Sequence, residues 1–229
     1  MAARHDHRQA VDRRPRVQGQ PVDSLPVLLP EAARGSVRRI TVVGEEVLHR
    51  PCRTVREFGT LELACLIDDM FRTMYIAEGA GLAANQVGVD LRLFVYDCRD
   101  DDGVRHVGHL VNPVLDEAAP GDRRLIEDQE GCLSVPGAVV TVPRTDRTVA
   151  RGFDQDGNPL VIEGTGYFAR CLQHETDHLG GGLYLDRLAK RDRKDALRQT
   201  AERQQAVFAE RASRAEKLDR ESTPVGELP

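Results

Sequence analysis

The 229-residue sequence contains no run near the roughly 18 apolar residues that a membrane-crossing helix needs, so no span is predicted. Its N-terminus carries arginines without the apolar block of a secretory signal, which argues against export. Cys-x-x-Cys pairs are also missing. Cys52, Cys65, Cys98, Cys132 and Cys171 are odd in number and widely spaced, which excludes a disulfide framework and points to a reducing cytoplasm. There is no internal repeat and no excess of positive charge: 32 Lys+Arg against 37 Asp+Glu leave −5. The charge is unevenly spread. Residues 1–39 hold 8 basic and 4 acidic side chains and residues 186–229 hold 11 and 9, so 40–185 keeps 13 and 24, or −11. Direct nucleic-acid binding by such a core is excluded on sign.

What is present suits one compact domain with tails: 40 % of residues are hydrophobic, enough for a single sizeable core. Residues 1–39, rich in Arg, Gln, Pro and Ala without apolar periodicity, read as a flexible basic arm. Asp6, Asp12, Asp23, Glu31 and scarce Ser argue against a mitochondrial targeting segment. The segment 40–185 reads as the main folded domain, and 186–229 as a C-terminal helix and tail. Leu63, Ile67, Met70 and Met74 recur at helical spacing between Thr60 and Glu78. Strands are expected at Leu91–Tyr96, His109–Val111, Val139–Val142, Thr148–Phe153 and Leu160–Ile162, with turns at Asp100–Gly103 and Asp154–Pro159. Helices follow at Gly166–Leu179 and from about Asp186 to Leu218. Helices bracketing a run of short antiparallel or mixed strands predict an α+β fold around the Gly166–Leu179 helix.

That helix carries His174-Glu175-Thr176-Asp177-His178. Residues four apart share a helix face, so His174 and His178 can hold one ion with Glu175 beside it as a proton acceptor. Two histidines do not complete a site. The metzincin continuation fails, because Gly181 fits but Tyr184 stands where its last histidine belongs. Glu202 could serve as third ligand of a zinc metalloprotease, although its surroundings are highly charged. Cys171 lies about 10 Å along the axis from His178 at 1.5 Å per residue, too far to share the ion, and reads as an apolar packer. Cys132, in Glu130-Gly131-Cys132-Leu133-Ser134-Val135-Pro136, is the better thiolate candidate, and a plain buried cysteine is its alternative. Gly79–Gln86 matches G-x-G-x-x-[GA], but a helix precedes it where a dinucleotide site has a strand, so a Rossmann site is rejected. Its small residues suggest a loop pressed on another backbone, with Gln86 able to donate into a cleft.

Taken together, G-A-G-L-A-A-N-Q (79–86), E-G-C-L-S (130–134) and Q-H-E-T-D-H (173–178) resemble the three motifs of the peptide deformylases, in the family's order, over about residues 38–190. The resemblance implies a hydrolase that removes the formyl group from formylmethionyl nascent peptides in the cytoplasm. Cys132, His174 and His178 would bind the metal, ferrous iron by family expectation, with zinc or nickel compatible. Glu175 would be the general base, and Gln86 and the Leu133 N–H would receive the formyl oxygen. Gly81 would shape the cleft, Tyr167 and Phe168 would line the methionine pocket, and Arg144 would pair with Glu130 in a structural role. Val139 stands where some relatives carry arginine. Arg170 receives no role, and Asp177 is either a partner of a ligand histidine or a solvated residue. A non-catalytic zinc-stabilised adaptor is disfavoured, because a structural site fills all four positions and needs no glutamate beside its histidines. The basic C-terminal helix (Arg187, Lys190, Arg191, Arg193, Lys194, Arg198 and Arg203) would offer a ribosome contact in the family branch with a helical C-terminus, or else a solvated helix face.

Overall fold

The computed structural model describes residues 12–116 and 123–222. Its elements run β1 (Arg16–Val17), β2 (Gln20–Pro21), α1 (Pro30–Arg34), α2 (Leu61–Ile76), β3 (Gly81–Ala83), β4 (Leu93–Arg99) and β5 (Arg105–Leu115). They continue with β6 (Leu125–Cys132), β7 (Val135–Thr145), β8 (Arg147–Phe153), β9 (Pro159–Thr165), α3 (Gly166–Leu179) and α4 (Lys190–Ser222). The fold is α+β. β5 organises the larger sheet, with β4 antiparallel on one side and β1 (parallel) and β8 (antiparallel) on the other; β3 forms an edge beyond β4. β6 and β7 form a separate antiparallel pair. No helix of the described residues is long and apolar enough to cross a membrane.

α2 begins where the Thr60 hydroxyl accepts from the Leu63 N–H (3.2 Å), capping the first turn. Its stripe of Leu63, Ile67, Met70 and Met74 is buried against β3, β4 and β5 as the periodicity predicts. α3 turns Phe168, Cys171, Leu172 and Leu179 into a second apolar cluster with Phe94, Tyr96 and Leu110. A third small cluster joins Cys132, Val135, Ala138 and Val142 of the β6–β7 pair to Tyr184, Leu185 and Ala196. The site described below lies where α3 meets the two sheets.

The expectation of a flexible arm does not hold for residues 12–39; residues 1–11 lie outside the described residues. Leu29 and Ala32 are buried with Leu63 and Ile67 of α2 in one apolar cluster. Arg34 and Arg38 pair with Asp68 and Asp69 of α2, each at 2.8 Å. β1 pairs Arg16 with His106, and Gln18 hydrogen-bonds the His109 ring at 3.0 Å. The segment is too short and too mixed to show a period, and it docks by matching the apolar and acidic faces that α2 presents. β6 was not anticipated either. Its first five residues, Leu125 to Gln129, are exposed and polar for the most part, so no buried alternation marks the strand in sequence.

Candidate active site

α3 carries His174 and His178 one turn apart, and β6 ends at Cys132, immediately before the two-residue turn Leu133–Ser134. The three ligand atoms lie within 4.8 Å of one another. His174 Nε2 is 3.1 Å from His178 Nε2, and the latter is 3.3 Å from Cys132 Sγ. Two nitrogens on a tetrahedral ion at about 2.0–2.1 Å stand roughly 3.3 Å apart, so the spacing fits a cation. The electrostatics agree. Burial alone would push His174 down, yet the neighbouring sulfur and Glu130 pull it well above its ordinary value, so this centre favours positive charge. Burial holds His178 well below its ordinary value, as a neutral ligand requires. Thiolate with two imidazoles suits iron or zinc and leaves one position open.

Glu130 organises what surrounds the histidines. Its Oε1 accepts from His174 Nδ1 (2.6 Å) and Arg144 Nη2 (2.6 Å), and its Oε2 from Arg144 Nε (3.0 Å) and Arg170 Nη1 (2.9 Å). Against the burial that would raise it, these bonds from His174 and Arg144 hold the carboxyl well below the usual carboxylate range. The bond to Nδ1 fixes the ring so that Nε2 carries the free lone pair. Arg170 therefore has a role that the sequence reading did not assign; its place four residues before His174 on one helix face was the available signal. Asp177 is neither a histidine partner nor merely solvated: it accepts from Arg144 (2.6 Å) and Arg187 (2.8 Å).

Glu175 is buried, with Oε2 lacking a partner among the described residues, and burial pushes its carboxyl up to about 7. A proton acceptor poised near working pH is what general-base chemistry asks for. Gly81 makes room for it: a Cβ there would stand 2.5 Å from Glu175 Oε1. The single turn Ala84–Val87 buries Gln86 beneath the centre, where Nε2 reaches Ser134 Oγ (3.2 Å) and Cys132 Sγ (3.5 Å) while Oε1 accepts from the Ala83 N–H (2.8 Å). A cavity of about 350 Å³ opens over these groups, and Gly81, Cys132, Leu133, Val139, Tyr167, Cys171, His174 and Glu175 are part of its wall.

Phe168, expected in the substrate pocket, is instead fully buried in the core, stacked on His106 with ring centroids 4.2 Å apart; the residue next to outward-facing Tyr167 on a helix points elsewhere. Glu202 does not reach the centre. It sits on an exposed part of α4, paired with Arg198 at 2.9 Å, which removes the metalloprotease ligand set. α4 instead brings Val207 and Arg211 to the cavity wall; a strongly charged stretch gave no sign of this in sequence.

A family model described as polypeptide deformylase matches residues 37–194. The chain is 59 % identical over 169 residues to peptide deformylase 1 of Streptomyces avermitilis, covering 74 % of this chain and 78 % of that protein. It is 49 % identical over 166 residues to the peptide deformylase of Acidothermus cellulolyticus, covering 71 % and 85 %. Among solved structures, a peptide deformylase from Legionella pneumophila superposes with a TM-score of 0.67 at 39 % identity, over 75 % of this chain and 97 % of that one. The Ehrlichia chaffeensis enzyme in complex with actinonin gives 0.65 at 35 % identity, over 73 % and 98 %.

Proposed function

The chain belongs to the peptide deformylase family, and from that premise we propose that Cys132, His174 and His178 hold its metal while Glu175, Gln86 and Leu133 serve the reaction. The enzyme is a metal-dependent hydrolase that removes the formyl group from N-terminal formylmethionine, releasing formate. The observation that carries the residue assignment is the convergence of one sulfur and two imidazole nitrogens within 4.8 Å beside a buried carboxyl. We assign ferrous iron on family expectation, with zinc and nickel compatible with the same donors. Such an ion, when bound, supplies a Lewis acid that activates water and polarises the formyl carbonyl.

Glu175 takes a proton from the attacking water as oxygen bonds to the formyl carbon, then returns it to the methionine nitrogen as the C–N bond breaks. Negative charge gathers on the former carbonyl oxygen in between. The Gln86 amide, held by Ala83 and Ser134, and the Leu133 N–H at the turn after Cys132 are fixed donors for that charge. Glu130 and Arg144 keep His174 oriented without touching substrate. The edge strand β3, with Gly81 at its start, offers unpaired backbone to an extended peptide, with Tyr167 at the mouth.

Reaction in the cytoplasm is supported by five free cysteines. Ribosome contact through α4 has narrower support: Arg187, in the turn before α4, and Arg193 and Arg198 within it are engaged in ion pairs within the chain, while Lys190 and Lys194 are exposed. Co-sedimentation of ribosomes with full-length protein and with a form ending at Leu188 decides that contact; equal binding refutes it. For the catalytic assignment, anaerobically prepared, metal-replete protein should release formate from a formylmethionyl peptide. Cys132→Ser should lose bound metal, Glu202→Ala should keep it, and Glu175→Ala should keep metal and lose turnover. Full activity of Glu175→Ala overturns the general-base role.

A further inference from the structure

α4 crosses the mouth of the cavity and presents Arg211 to it. One terminal nitrogen, Nη2, donates to the Leu133 carbonyl at 3.1 Å, which anchors the guanidinium on the turn that follows Cys132. The Nε–H is sealed from solvent and has no acceptor among the described residues. None of the three carboxylates on the cavity wall, Glu78, Glu130 and Glu175, is bonded to it. Glu130 is taken by Arg144 and Arg170, and Glu78, also on the cavity wall, is paired with Arg214 at 2.7 Å. Burial accordingly pushes the Arg211 guanidinium below its ordinary value, with Arg214 adding to the effect and Cys132 opposing it. A half-buried cation with an unmet donor is unfavourable unless an anion or acceptor completes it; Arg211 lines the cavity that receives substrate and a second one, walled by Val37, Ile40, Phe208 and Ala212, that holds no carboxylate.

The charge at this rim also comes from α4. Arg203 donates to the Gly137 carbonyl at 3.2 Å, beside the bulge of Pro136, Gly137 and Ala138 that forms part of the same wall, and Arg214 donates to the Ile76 carbonyl at 3.5 Å. The metal and Glu175 fix where the formyl end of the peptide must lie, so what extends past the methionine toward α4 meets Arg211. A guanidinium on the wall of that cavity, bonded to none of the carboxylates there, selects a carboxylate.

We propose that Arg211 is a specificity-determining residue that binds a carboxylate side chain of the peptide downstream of formylmethionine, so that the enzyme prefers Asp or Glu over Lys or Arg at the second or third position. The proposal rests on the deformylase assignment of the centre. It gives the C-terminal helix a part in choosing substrate.

The test compares formyl-Met tripeptides carrying Glu or Lys at position two, or at position three, on the full-length, metal-loaded protein. Wild type should show a Glu/Lys ratio in kcat/KM of about tenfold at one of the positions, carried by KM. Arg211→Gln should bring that ratio to about one, Arg211→Lys should retain part of it, and Arg211→Glu should invert it. The ratio is taken within each variant, so a general loss of activity cancels. If Arg211→Gln does not fold, the wild-type ratio measured from low to high salt replaces it, and the ratio should shrink as salt screens the pair. A wild-type ratio of one at both positions, a ratio unchanged in Arg211→Gln or Arg211→Glu, or a ratio indifferent to salt overturns the proposal. Failure of the underlying assignment reads differently: wild type would then release no formate from any of the peptides.

Discussion

Replacing Glu130 by Gln tests how the centre is held. The two oxygens accept four hydrogen bonds, from His174, Arg144 (two) and Arg170, at 2.6 to 3.0 Å. The side chain is 4 % exposed and its arginine partners 1 % and 6 %. Gln preserves shape, but it removes the charge and turns one acceptor into a donor facing donors. Breaking a buried ion pair by removing one partner costs about 3–5 kcal/mol. Arg144 keeps Asp177 at 2.6 Å, so the lower end applies, about 3 kcal/mol, or roughly 6–12 °C in Tm for a domain of this size. A separate loss falls on the metal. Without its carboxylate partner the His174 ring is a weaker and less oriented ligand, and such outer partners are worth about 10–100-fold in affinity. Chelator competition measures that loss, and urea unfolding of the metal-free protein measures stability apart from it. Adding Arg170→Met should recover part of the stability, by removing a buried guanidinium that has lost its counter-charge and keeps only the Val142 and Ile126 carbonyls (2.8 and 3.0 Å), and none of the metal affinity. Metal affinity within twofold of wild type together with an unchanged urea midpoint would refute the reasoning.

Gly81→Ala should lower turnover by about 100-fold at unchanged metal content, because its Cβ would stand 2.5 Å from Glu175 Oε1 and displace the carboxyl; wild-type kcat would show that Glu175 needs no such clearance. His109 receives the Gln155 N–H on Nε2 (3.0 Å), and burial pushes it down to about 4. Its folded pKa lies below its unfolded value of about 6.5, so its stabilisation is full above pH 6.5 and lost as pH falls, at most about 2 kcal/mol by pH 5. Urea midpoints should therefore fall from pH 7 to pH 5 more in wild type than in His109→Gln, and parallel profiles would contradict this. Leu29→Ala should destabilise by about 2–5 kcal/mol in denaturant titration, because Leu29 is buried in the main core; no change would restore the flexible-arm expectation.

The parts legible in sequence were those with a local geometric rule behind them. The α2 stripe follows from a period of 3.6, and the pair His174 and His178 follows from one helical turn. Cys132 needed two further motifs in register before it could be chosen over Glu202, because nothing local brings residues 42 positions apart together. Arg170 and Arg211 escaped for a related reason. An arginine's partner is set by tertiary placement, and in sequence a buried guanidinium looks like a solvated one. Phe168 was misplaced because adjacent helix residues face about 100° apart, so Tyr167 at the mouth puts its neighbour in the core.

The parallel pairing of β1 with β5 has a bearing on how the chain is made. Arg16 and Val17 meet His106 and Val107, so the strand emerges from synthesis about 90 residues before its partner. At about 5–20 residues per second, it waits some 5–20 s with its backbone unpaired. α1 can settle on α2 sooner, because only about 35 residues separate Arg34 from Asp68. Chain separation therefore favours α1 meeting α2 before β1 meets β5. An enzyme that acts on nascent chains thus leaves its own strand β1 unpaired for part of its life as one.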